Sequence, residues 1–164
     1  MGVQIVPMRE EHIDALKDRL QEGDRVDCST AGRTPALALR DGYQGGPAWC
    51  ALVNGEPRGA FGVMPGLHSI WSLWTDLTPG ESIMCVRLGR LWLRMLSVWW
   101  VSQQHPRVPA YRLHNYVWDG NKKTIRWLKA TKCFDFHPQH SLTSEGKSFI
   151  PFTLKPLQEL PSHV

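Results

Sequence analysis

No stretch of this chain is long and apolar enough to cross a bilayer. The longest mostly apolar runs, residues 70–74 and 96–101, fall far short of the ~20 residues that a spanning helix needs. Cysteine is sparse. Cys28, Cys50, Cys85 and Cys133 share no short repeat spacing, which excludes a disulfide framework and the paired-cysteine zinc modules. No basic-then-apolar leader follows Met1, and Val6 stands where a myristoylation signal after Gly2 needs Ser or Thr. The expectation is a soluble, intracellular, reduced protein that no signal peptide exports. There is also no internal repeat, no low-complexity tract, no G-x-S-x-G elbow and no G-x-x-x-x-G-K-[ST] loop, so nucleophile-elbow hydrolases and P-loop enzymes are excluded. Tyrosine is scarce, at three, against eight tryptophans, which forecasts a core built on indole rings. The net charge of +4 is weak for a dedicated nucleic-acid binder, and 164 residues suffice for one domain with a core of its own.

The pattern along the chain alternates between strand and helix signals. Val3 to Val6 reads as a strand stopped by Pro7, and residues 10–20 as a helix with Ile13, Leu16 and Leu20 inward and Gly23 just beyond it. A polar stretch leads to Thr34-Pro35, a cap and first-turn proline that open a short helix over 36–40, stopped by Asp41-Gly42. Residues 44–47 read as a loop. Asn54-Gly55 joins apolar runs at 48–53 and 59–64 into a hairpin, and 69–77 supplies a further strand. Thr78 with Glu81 forms a capping-box pattern that opens a long helix to about Gln103. Leu88, Leu91, Trp92, Met95, Val98 and Trp99 are expected on its core face. Trp100 diverges from Trp99 by about 100° and is a candidate partner anchor. A fifth strand over 111–118, a helix over 121–131, and strands at 134–136 and 148–154 complete the chain.

That order resembles the GNAT (acyl-CoA N-acyltransferase) fold. Asn121-Lys122-Lys123-Thr124-Ile125-Arg126-Trp127-Leu128-Lys129-Ala130 resembles the family's helix pattern N-x-x-A-I-x-x-Y-x-K-x-G-F. More narrowly, Asn115-Tyr116-Val117-Trp118-Asp119-Gly120-Asn121 followed by Ile125-Arg126-Trp127-Leu128-Lys129 is similar to the small GNAT-like internal virion and accessory proteins of podophages and prophages. So are Ala48-Trp49-Cys50-Ala51-Leu52-Val53-Asn54-Gly55-Glu56-Pro57 with Phe61-Gly62-Val63, and Trp71-Ser72-Leu73-Trp74-Thr75-Asp76. The resemblance spans residues 1–155 and is most specific over 48–130. It implies an α/β fold, a GNAT-like mixed, mostly antiparallel sheet of about six to seven strands with helices on both faces. It also implies one domain over 1–155 with a short C-terminal tail at 156–164. The implied role is a phage accessory protein of the virion-assembly or internal-virion type, with a virion or host protein as partner, in the host cytoplasm or the virion.

The family's acyltransferases cradle the CoA pyrophosphate on free amides at the start of the long helix, usually written R-x-x-G-x-G. Here that stretch is Thr78-Pro79-Gly80-Glu81-Ser82-Ile83. Thr78, Gly80, Glu81, Ser82 and Ile83, with Asn121, are the cofactor-binding positions if acetyl-CoA is bound. The run has one glycine, a proline that removes a donor, and Glu81, whose charge would repel phosphate. Leu128 stands where the resemblance expects the proton-donating tyrosine, and Lys132 where it expects glycine. No cofactor is therefore expected. An acetyl-CoA-dependent N-acetyltransferase acting on a host protein or small amine is the alternative, and a nucleic-acid-binding accessory protein a further one.

Glu10, Asp76, His68 and His114 are candidate general bases, each outweighed by the ordinary reading as a solvated charge or hydrogen-bonded histidine. Cys133-x3-His137-x2-His140 lacks the paired spacing of metal modules, so no metal is expected. Arg87, Arg90 and Arg94, and Lys122, Arg126 and Lys129, form two basic helical stripes that read as solvated faces, so nucleic acid is not the expected partner. In the GNAT fold the fourth and fifth strands splay apart. One or both of Trp74 and Trp118, near those strand ends, are expected to fill the slot.

Overall fold

A computed structural model describes residues 2–104, 106–107, 111–138, 141–142 and 145–162. Eight strands form one sheet: β1 (Val3–Pro7), β2 (Ala48–Val53), β3 (Glu56–Met64), β4 (Ser69–Trp74), β5 (His114–Trp118), β6 (Phe134–Phe136), β7 (Ser141–Leu142) and β8 (Ser148–Leu154). Their order is β1-β2-β3-β4-β5-β8-β6, with β7 also on β8. Every pairing is antiparallel except β4 with β5, which is parallel and consists of the single register pair Ser69 with His114. The two central strands meet only at their N-terminal ends and diverge toward Trp74 and Trp118. This confirms the expected fold class, a mixed and mostly antiparallel sheet with helices on both faces.

Helices α1 (Glu10–Leu16), α2 (Glu22–Thr30) and α3 (Pro35–Gly45) cover one face; α4 (Pro79–Gln103) and α5 (Lys122–Thr131) cover the other. Thr34 and Thr78 cap α3 and α4 as their Thr-Pro signals imply, each hydroxyl accepting from a backbone amide nitrogen 3.2 Å away. The main core lies between the sheet and α4–α5 and includes Val63, Leu93, Leu113, Val117 and Leu128. After Lys155 the chain folds back, so that Leu157 and Leu160 join this core.

Several boundaries differ from the sequence reading, each for a physical reason. The first helix ends at Leu16, because Leu20 leaves the helical path to bridge Thr75 at the end of β4. Residues 22–30 are helical rather than irregular. Helix α3 runs through Gly42 to Gly45, since Gly42 is where the Trp71 ring crosses it; a Cβ there would lie 2.4 Å from the ring. Strand β3 begins at Glu56, β4 ends at Trp74, and β5 begins at His114.

The long helix is rotated relative to expectation. Cys85, Gly89, Leu93, Leu96, Ser97 and Trp100 are buried, whereas Leu91, Met95 and Val98 face outward. Gly89 lies on the buried face, where Trp127 of α5 packs close enough that a Cβ would lie 3.3 Å from its ring. Trp100 is therefore a core residue rather than an exposed anchor, and its Nε1–H donates to the Tyr111 carbonyl at 2.7 Å.

Glycine-to-alanine in a helix interior ordinarily stabilises by up to about 1 kcal/mol. At Gly42 the sign should reverse, because the new methyl meets the Trp71 ring. Gly42→Ala is expected to destabilise by about 1–3 kcal/mol in urea unfolding.

Candidate functional site

The divergence of β4 and β5 opens a window in the sheet. At its base the His114 amide donates to the His68 carbonyl at 3.0 Å, and Asn115 Nδ2 donates to the Ile70 carbonyl at 2.6 Å. At its mouth the strand ends are held apart by the chain itself. Gln21 donates its backbone amide to the Trp74 carbonyl at 2.9 Å, and the Trp74 amide donates to Asp24 Oδ2 at 2.8 Å. Across the gap the Trp118 amide donates to Asp27 Oδ1 at 3.0 Å. Thus two carboxylates one helical turn apart on α2 take the terminal amides of two strands that no longer pair with each other.

Asn121 joins the two acids. Its Nδ2 donates to Asp24 Oδ1 and to Asp27 Oδ2, both at 2.8 Å, while its Oδ1 accepts from Gln21 Nε2 at 3.0 Å. Thr124 Oγ1 adds a further donor to Asp24 Oδ1 at 2.8 Å. Asp24 and Asn121 are each only 1 % exposed. Gly23 makes the approach possible, since a Cβ there would fall 2.0 Å from Asn121 Oδ1. The amino end of α5, capped by Asn121, also faces the acids with the positive end of its dipole.

Burial raises the pKa of both carboxyls. For Asp27, desolvation and then, opposing it, the Asn121 bond, with the nearby Asp24 charge reinforcing the rise, bring the value to about 7. Burial likewise pushes the neighbouring Cys28 thiol up to about 12, so it is not a nucleophile at neutral pH. All four cysteines are free and buried.

Behind the clamp lies a cavity of about 420 Å³, within the range of small-molecule sites. It reaches both sides of the sheet: Asp24, Asp27 and Trp71 line one end, Phe61, Trp92 and Trp127 the other. Trp74 lies along its wall, stacked on Phe61 (centroids 5.9 Å apart, planes at 17°) and tilted against Trp127 (5.4 Å), with Gly59 beneath the ring. Trp118 turns away, lying over Gly120 and under Lys147. The two rings therefore do not fill the slot. Trp74 supplies part of its wall, and carboxylates rather than indoles close its mouth.

The positions named for a cofactor lie elsewhere. Asn121 is committed to the acids. Thr78, Gly80, Glu81, Ser82 and Ile83 form the first turns of α4, and neither they nor Asn121 line the cavity. Of the first-turn amides, Pro79 has none, Glu81 donates to Thr78 Oγ1 and Ser82 to the Thr78 carbonyl, which leaves Gly80. The Glu81 carboxylate does not reach back to its own cap as the capping-box pattern implies. It pairs with Arg58 at 3.0 Å, both side chains mostly buried, while Arg58 also donates to Thr75 Oγ1 and the Asp76 carbonyl. The residues present do not fit a CoA pyrophosphate and pantetheine arm: one amide is offered where several are needed, a carboxylate stands beside it, and both backbone groups of Trp74 at the end of β4 are taken.

The candidate bases are dispersed. Glu10 pairs with Arg40 and Asp76 with Lys123, all at the surface. His68 sits between the Trp100 and Tyr111 rings, and His114 against Tyr116. None lines the cavity. His137 bonds Thr153 at 3.0 Å, His140 lies outside the described residues, and no metal-ligand group occurs among those described. Asp24 and Asp27, the acids that do line the cavity, were not legible as candidates. The one available signal was their spacing beside a glycine in an otherwise polar run.

This sheet, splayed between its fourth and fifth strands and covered by helices on both faces, matches solved acetyltransferases along nearly the whole chain. The fold is that of the GNAT acyltransferases. The chain is similar to a solved aminoglycoside 6'-acetyltransferase type Ii (12% identity, 95% of this chain and 99% of that chain, TM-score 0.61). It is also similar to the ribosomal-protein-S18-alanine N-acetyltransferase from Escherichia coli (13%, 93% of each chain, 0.58) and to AAC(6')-Ib in complex with ribostamycin and coenzyme A (16%, 99% and 98%, 0.55). No family model and no curated protein matches. At these identities the GNAT likeness is one of fold.

The carboxyl pair also gives a signed pH effect. A carboxyl whose folded pKa is raised binds its proton more tightly when folded, so its stabilising contribution is full below the unfolded value near 4 and is lost as pH rises through about 7. Unfolding free energy should therefore fall by roughly 2–4 kcal/mol between pH 4 and 7 on this account. Asp27→Asn should flatten that slope, as measured by urea denaturation across the pH range.

Proposed function

We propose that this chain is a GNAT-fold accessory protein of the phage virion-assembly or internal-virion kind, which keeps the acyltransferase sheet without turning over acyl-CoA. The observation that supports it is the clamp. Gln21 and Asp24 take the carbonyl and amide of Trp74 at the end of β4, and Asp27 the amide at the end of β5, so the chain's own acids hold the strand termini where a cofactor arm would run. The phage assignment rests on the resemblance around Asn115 to Lys129 and the central hairpin. The acting partner is a protein of the virion or host.

A second reading, the acetyl-CoA-dependent N-acetyltransferase acting on a host protein or small amine, is favoured by the 420 Å³ cavity and by the activities named for the solved neighbours. It requires α2 to withdraw its two carboxylates and Glu81 to release Arg58.

Titration with acetyl-CoA separates the two. Under the accessory reading, about 1 mM ligand leaves the melting temperature unchanged and calorimetry shows no saturable heat, a concentration that covers ordinary Michaelis constants. Saturable binding with a rise in melting temperature would install the enzyme reading in its place.

A further inference from the structure

We propose that the outward face of α4 is a docking surface for a protein that presents an acidic amphipathic helix. Among the described residues, five of the nine large apolar side chains that stand exposed are on this one helix: Ile83 (56 %), Leu91 (45 %), Met95 (70 %), Val98 (52 %) and Val101 (57 %). At 100° per residue they fall within an arc of about 120°, opposite the buried face of Cys85, Gly89, Leu93, Leu96 and Trp100. A stripe of this kind on the outside of a folded domain marks an interaction surface rather than scatter.

The charges on the same arc select the partner. Arg87 and Arg94 lie on it one heptad apart, about 10 Å along the axis, and both are exposed without a partner among the described residues. Arg90 is different: it points toward α5 and donates to the Thr131 and Ala130 carbonyls at 3.1 and 2.6 Å. The only acid of α4, Glu81, is turned inward to Arg58. The face is thus apolar and cationic with no acid of its own. A second copy would set arginines against arginines. Two cations also fall short of the clusters of about four to eight by which polybasic surfaces hold anionic lipid. A helix with apolar anchors at i, i+3 or i+4 and i+7, flanked by Asp or Glu at heptad spacing, satisfies both the stripe and the charges.

This deepens the accessory role proposed above, and the partner's being a protein rests on it. The two fail separately, since the face lies on the far side of α4 from the cavity. Acetyl-CoA binding would sink the accessory role, whereas loss of the result below would sink this surface alone.

The test uses the full chain and a synthetic helical peptide of about 21 residues with leucine at heptad a and d and glutamate at e and g. Fluorescence anisotropy should show binding that weakens with salt and is at least about tenfold weaker for the same peptide with lysine replacing glutamate. The double variant Arg87→Glu/Arg94→Glu, and separately Met95→Gln, should each lower affinity about tenfold with the near-UV circular dichroism of the parent. Equal binding of the two peptides, or indifference to both variants, would overturn the proposal. So would a dimer in sedimentation equilibrium that Met95→Gln dissolves, which gives the face to a second copy. Flotation with phosphatidylserine vesicles that the double variant abolishes would give it to a membrane.

Discussion

The side-chain amide of Asn121 is the point on which the centre of the molecule depends. One nitrogen with two protons holds two carboxylates, and each carboxylate holds the amide of a strand end. Two buried acids this close repel each other and lose their hydration, and the raised pKa of each records that cost. What offsets it is a full set of donors from two backbone amides, Asn121 and Thr124, together with the dipole of α5. Asn121 is the donor the two acids share, so removing it takes one hydrogen bond from each at once.

That arrangement explains what holds the two splayed strand ends of this sheet in position. In this architecture β4 and β5 share one register pair and then part. Each strand end needs an acceptor for the amide that its neighbour no longer satisfies. Helix α2 supplies them from the side of the sheet opposite α4 and α5. The cavity is what remains between this clamp at the mouth and the Ser69–His114 pair at the base. Its walls are aromatic because Gly42, Gly59 and Gly62 let indoles lie flat against α3 and β3.

Most of the frame could be read from the amino acids, and the part that could not is the part that closes the window. The Thr34-Pro35 and Thr78-Pro79 starts, the Asn54-Gly55 hairpin and the closing β6–β8 pair all carry local signals, and the structure has them. Helix α2 carries none that a leucine stripe would give, because its buried residues are Asp24 and Cys28, with Asp27 half-buried beside them. Helix α4 fails differently. Apolar residues lie on more than one of its faces, so periodicity pointed to the wrong one; the face that packs is the one that carries Gly89, against which Trp127 lies. The role of Asn121 was legible only as a helix start; that its side chain spans to residues almost a hundred positions earlier is a tertiary fact.

The clamp has one more consequence, for association between molecules. A splayed pair of strands is, in effect, two sheet edges inside one sheet, each with unpaired amides and carbonyls able to template a foreign strand. Natural sheets protect such edges with inward-pointing charge, and Asp24 and Asp27 are that device placed at the centre of a sheet rather than at its rim. Both atoms of Trp74 that a foreign strand would seek are already taken, the carbonyl by Gln21 and the amide by Asp24. Helix α2 is therefore also a gatekeeper: with it in place the domain can keep an opening through its sheet while the strand ends at its mouth are already capped.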